Sequence, residues 1–95
     1  MKVVSAARKE VRASRDTAAR AVLRALRIIE ILLGCPEGMP LGEVSRTAGL
    51  GPSTAHRLLG ALVQAGFAEQ EGRRRRYRIA RRFAAAAAGF AQGLN

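Results

Sequence analysis

Residues 41–63 read LGEVSRTAGLGPSTAHRLLGALV, and two short helical patterns meet in them at a glycine. The first predicted helix runs from about Gly42 to Ala48, with Val44 and Ala48 four apart on its inner face. Gly49 closes it, because glycine enters the left-handed region without a Cβ penalty and so allows a sharp reversal. The second begins after Gly51. Pro52 suits the first helical position, where its missing N–H costs nothing. Ala55, Leu58, Leu59, Leu62 and Val63 then form an apolar face up to about Ala65, and Gly66 ends the helix. Small Ala48 and Ala55 let the two helices cross closely. A helix, a glycine turn and a second helix with a small inward residue beyond the turn make a helix-turn-helix.

Upstream, Val22, Leu26, Ile29 and Leu33 recur at steps of four, three and four, which predicts a helix over 17–33 with those residues as its buried stripe. Asp16 can cap its start, Gly34 can close it, and Pro36 prevents continuation. Leu23, Ala25, Ile28 and Leu32 are then surplus apolar residues, suited to a second copy of the chain or to the tail. Cys35 to Pro40 read as a turn, with a short strand around Met39 to Leu41. Downstream, Phe67–Glu71 and Arg76–Ala80 flank Gly72 and an arginine run, the pattern of a β-hairpin in which Tyr77 and Ile79 alternate with Arg76 and Arg78. The alanine-rich tail predicts a marginal fourth helix with Phe83 and Phe90 seven apart on one side. The fold class is therefore mainly α with a small β-hairpin, a winged helix-turn-helix over 17–80, preceded by a basic arm over 1–16 and followed by a linker-type helix or tail over 81–95.

Ninety-five residues suffice for one small core, and 48% apolar with 25% charged residues is a globular composition. The 17 Lys and Arg outnumber the 7 Asp and Glu, for a net charge of +10. A polyanion is the implied partner, and scarce aromatic anchors favour nucleic acid over a membrane surface. No apolar run of about 18 residues could span a bilayer. One Cys and one His cannot build a four-ligand zinc site, and the lone thiol suits a reducing cytoplasm. No metal or cofactor is expected. Paired carboxylates, a Ser/His/acid set and a phosphate-cradling glycine loop before a Lys are all missing, which argues against an enzyme.

On the second helix of the pair, Ser53, Thr54, His56 and Arg57 lie opposite the apolar stripe. Ser53 and Thr54 can donate to phosphate near the helix start. Arg57 has the fork that matches guanine O6 and N7, and His56 can donate to a base or a phosphate. Ser53 reads equally as a helix cap, and His56 also reads as a solvated surface residue. Seven of the ten residues from 73 to 82 are arginine: Arg73, Arg74, Arg75, Arg76, Arg78, Arg81 and Arg82. Their mutual repulsion has no folded-state reward, so a phosphate track explains them better than a solvated loop does. Glu69 and Glu71 are positioned to pair with some of them across the hairpin. Cys35 reads as a small turn residue.

The strings ALRIIEILL (25–33), LGEVSRTAGLGPSTAHRLLGALVQAGFAEQ (41–70) and RRYRIA (75–80) resemble the DNA-binding domain of IclR-type bacterial transcriptional regulators over roughly Ala21 to Phe83. The S-T-x-H-R-L-L run, followed by L-V-x-A-G-F and a basic R-Y-R strand, carries the likeness. The resemblance implies sequence-specific binding of double-stranded DNA by a homodimer in the cytoplasm, at the nucleoid. The second helix of the pair would enter the major groove of an operator, with the wing on the backbone or minor groove. The sequence departs from the family at Pro40, where a Thr or Ser often forms a capping box with the position of Glu43, and at Pro52, where a basic or polar residue is common. Such regulators continue into an effector-binding domain; with the chain ending at Asn95, no small-molecule effector domain is expected. The alternative reading is a protein-interaction module that dimerises with and modulates a full-length regulator.

Overall fold

The computed structural model describes residues 17–73 and 75–94; the basic arm over 1–16, the Asp16 cap and Arg74 lie outside the described residues. Helix α1 spans Thr17–Leu33, helix α2 Leu41–Ala48 and helix α3 Pro52–Ala65. Strand β1 (Met39–Pro40) precedes α2, strands β2 (Ala68–Glu71) and β3 (Arg76–Ile79) form the hairpin, and helix α4 covers Arg81–Gly93. This is the expected winged helix-turn-helix, with a three-stranded antiparallel sheet of order β1-β3-β2. The short strand around Met39 pairs with the hairpin, placing Met39 opposite Tyr77, which on its other side faces Gln70.

The turn between α2 and α3 follows from Gly49, which has φ 70° and ψ 34°. Its N–H donates to the Arg46 carbonyl and the Leu50 N–H to that of Ser45, so two orphan carbonyls of α2 are satisfied. Ser45, buried within α2, donates its hydroxyl to the Leu50 carbonyl and ties helix to turn a second time. The expected inner residue Ala48 is only half-buried, and Ser45 takes the deeper place because its one polar group is bonded. Pro40 precedes α2 with no side-chain cap, as its sequence implied.

The inward stripe of α1 differs from the expectation. Ile28 and Leu32 are fully buried with Val44 and Leu59, whereas Val22, Leu26 and Leu33 are 58%, 53% and 54% exposed. Two apolar rows adjoin on this helix, 21-25-28-32 and 22-26-29-33, separated by roughly 100° because an α-helix advances 3.6 residues per turn. Both satisfy the spacing rule, and packing against α2 and α3 selects the first. Ile28 and Leu32 are therefore core, and the surplus is Val22, Leu26 and Leu33 with Leu23. On α3, Ala55, Leu59 and Leu62 are buried, Leu58 packs against the core, and Val63 is more exposed than expected.

Tyr77 and Ala68 close the core from the sheet side. The chain then leaves β3 with the Ala80 N–H bonded to the Phe67 carbonyl at 2.9 Å. Helix α4 has no buried residue. Phe83 meets Phe67 edge to face, with ring centroids 4.9 Å apart, while Phe90 is exposed. Arg82 folds back over Gly66, the glycine that ends α3.

Candidate nucleic-acid interface

Helix α3 presents Ser53, His56 and Arg57 exposed and Thr54 half-buried. Gly51 occupies the N-cap and Pro52 follows it, with no side chain capping the helix. Ser53 thus lies inside the first turn and is not the cap, which leaves its hydroxyl available at the surface. Consecutive residues diverge by about 100° around a helix, and His56 and Arg57 accordingly line different depressions. His56 lines a groove of about 660 Å³ shared with Gly42 at the start of α2 and with Gln70, Gly72 and Arg75 of the hairpin. Arg57 and Thr54 line a cleft of about 240 Å³ whose other wall is α1, with Thr17, Arg20 and Arg24. His56 of α3 and Arg75 of the wing therefore border one common groove, while Arg57 and Thr54 face α1 and are not brought together with the wing.

The hairpin arginines divide into two groups. Arg78 donates from Nε to Glu69 Oε1 at 3.1 Å, and its Nη1 lies 4.0 Å from Glu71. The expected cross-strand pairing of Glu69 and Glu71 is thus present, and Arg78 is its common partner. Arg76 donates from Nη1 to the Gly38 carbonyl at 3.0 Å, bracing β3 against the turn before β1. Arg73 and Arg75 are exposed and pair with no carboxylate among the described residues. Arg75 has φ 51° and its N–H closes the loop onto the Glu71 carbonyl at 2.9 Å. A non-glycine residue in this region is held there by its surroundings, here by that hydrogen bond to Glu71.

Arg20 and Arg24 were not among the residues singled out in the sequence. The available signal was the row Thr17, Arg20, Arg24, Arg27 at steps of three and four. Its orientation toward α3 depends on which apolar row of α1 faces the core.

Cys35 sits half-buried in the turn after α1 and donates to the Gly38 carbonyl at 3.2 Å. Burial first, then the Glu37 carboxylate, pushes its thiol above the ordinary value, so it is protonated at neutral pH and a poor nucleophile. Among the described residues no group of three or more His, Cys, Asp or Glu could hold a metal ion, and no helix is long and apolar enough to cross a membrane.

Comparison with known proteins agrees with this architecture. The family model for the IclR helix-turn-helix domain matches residues 21–72. The chain is 36% identical over 81 residues to the DNA-binding transcriptional repressor YiaJ of Escherichia coli, an alignment covering 85% of this chain and 29% of that protein. It is 38% identical over 60 residues to an uncharacterized HTH-type transcriptional regulator of Haemophilus influenzae, covering 63% of this chain and 22% of that one. Among solved structures, Pseudomonas aeruginosa HmgR superposes with a TM-score of 0.64 at 28% identity, over 76% of this chain and 29% of the other. The Agobacterium tumefaciens repressor BlcR does so with a TM-score of 0.65 at 28% identity, over 80% and 30%. This chain thus spans less than a third of the length of each of these relatives. The family match from Ala21 to Gly72, which takes in most of α1, the α2–α3 helix-turn-helix and strand β2, makes the chain a member of the IclR helix-turn-helix family.

Proposed function

We propose that this chain binds double-stranded DNA sequence-specifically as a homodimer and serves as the DNA-reading part of a bacterial transcriptional regulator, acting in the cytoplasm at the nucleoid. The observation that carries the reading is the groove bordered jointly by His56 of α3 and Arg75 of the hairpin, which lets one duplex touch both. In this reading α3 enters the major groove. Arg57 reads a guanine through O6 and N7, and His56 donates to a base edge or a phosphate. Ser53 and Thr54 anchor phosphates beside the helix start. Arg73, Arg74 and Arg75 track the backbone at the hairpin tip, while Arg76 and Arg78 hold the hairpin in shape from within. The net charge of +10 supplies the long-range attraction. YiaJ, a relative described as a DNA-binding repressor, supports the same reading. One helix offers few base contacts, so two copies on half-sites about 34–36 Å apart provide useful specificity.

Selection of bound sites from random duplex DNA tests this. The expected product is an enriched palindromic sequence, and Arg57→Ala should relax discrimination at one base pair per half-site, at a cost of about 1–3 kcal/mol. Retention of duplexes with no enriched sequence would remove the regulatory reading.

A further inference from the structure

The cleft between α1 and α3 holds more positive charge than folding needs. Thr17, Arg20 and Arg24 share one row of α1, since residues three and four apart lie on the same helical face. Arg27 continues the row but faces Glu30, at 3.7 Å. The opposite wall carries Thr54 and Arg57, three apart on α3. Arg20, Arg24 and Arg57 are all exposed, and none pairs with a carboxylate among the described residues. Three guanidinium groups around a cleft of about 240 Å³ repel one another. A phosphate held by Arg20 and Arg24 relieves that repulsion, because its oxygens match their guanidinium forks, and it leaves the Arg57 fork to a base edge.

Position fixes the source of the phosphate. The wing groove, lined by His56, flanks α3 on one side, and this cleft, lined by Arg57, flanks it on the other. A helix in the major groove lies between two sugar-phosphate backbones about 12 Å apart across the groove. One backbone then meets the hairpin and the other meets α1. We infer that Arg20 and Arg24 grip the phosphates of the DNA strand bordering the α1 side of α3, a second backbone clamp opposite the wing; this rests on the DNA-binding reading above. The clamp sets how deeply α3 enters the groove and carries no sequence preference of its own.

The test compares R20Q/R24Q with the wild-type chain in salt titrations, using fluorescence anisotropy on the selected duplex and on a scrambled one. Two lost phosphate contacts should reduce the log–log salt slope by about 2 and weaken both duplexes alike, roughly 10- to 100-fold at 0.1 M salt, with their ranking kept. R27Q, on the next turn of the same row, should leave the slope unchanged, and unaltered thermal melting of R20Q/R24Q assigns the loss to binding. A wild-type chain that prefers the selected duplex alongside an R20Q/R24Q slope equal to wild type overturns the clamp and leaves the DNA-binding reading standing. A changed sequence preference in R20Q/R24Q also overturns it, by making these residues base readers. A wild-type chain that does not discriminate between the duplexes overturns both.

Discussion

At Gly38 the backbone has φ 91°, and a Cβ would stand 3.2 Å from both the Arg76 Cβ and the Tyr77 carbonyl oxygen. Gly49 also lies in the left-handed region, at φ 70°, yet nothing stands within 4 Å of where its Cβ would be. The two glycines therefore separate backbone strain from crowding. Gly49→Ala bears only the conformational penalty, about 1–2 kcal/mol. Gly38→Ala bears that and the displacement of β3 from β1, so it should cost more. Denaturant midpoints at equal protomer concentration and unchanged m measure both, and a Gly38→Ala loss no larger than that of Gly49→Ala would show that the strand pairing yields without cost. Gly49 was legible in the sequence because its role is local, a reversal between two helical patterns. Gly38 was not, because its neighbours are Arg76, Tyr77 and Arg78, nearly forty positions along the chain.

The same distinction governs whole elements. Helices α2 and α3 and the hairpin were readable from caps, breakers and alternation, which are features of neighbouring residues. The inward row of α1 was not, because two apolar rows satisfy one periodicity and the choice lies with Val44 and Leu59 on other elements. That ambiguity also hid Arg20 and Arg24, whose place beside α3 follows from the row chosen. In the hairpin, arginine density could be read directly, but the internal engagement of Arg76 and Arg78 depends on strand register. Helix α4 is the least anchored element, a 13-residue helix with no buried residue and one aromatic contact between Phe67 and Phe83. Isolated helices of that length are marginal in water. Phe83→Ala removes a ring pair worth about 0.5–1.5 kcal/mol beyond its area and should release α4 while the core stays folded. Amide exchange should then rise across 84–93 and stay unchanged in α3. Equal acceleration in both would mean that α4 unfolds only with the core.

At the scale of the molecule, α1 presents three flanks with separate duties. Its core row holds Ile28 and Leu32, the row of Arg20 and Arg24 borders α3, and Val22, Leu26 and Leu33 lie exposed on the far side of the core row. Cationic and apolar flanks on opposite sides of the core row let a DNA clamp and a protein contact coexist on one helix. Contiguous exposed apolar rows mark association sites in small proteins. A two-fold axis beside α1 would set its apolar row against the same row of a second copy, an isologous contact that would join two α3 helices in one assembly. Leu26, central in that row and absent from the core, is the position to test, and Leu26→Arg should abolish self-association while leaving the fold of each copy intact. Sedimentation equilibrium should give about twice the 10.2 kDa chain mass for the wild type and about that mass for the variant. Because two half-sites no longer bind as one unit, the variant should also lose its preference for palindromic over single-half-site duplexes. A wild-type chain that stays monomeric at high concentration, or a Leu26→Arg dimer, would assign this row to some other partner and remove the two-fold arrangement on DNA.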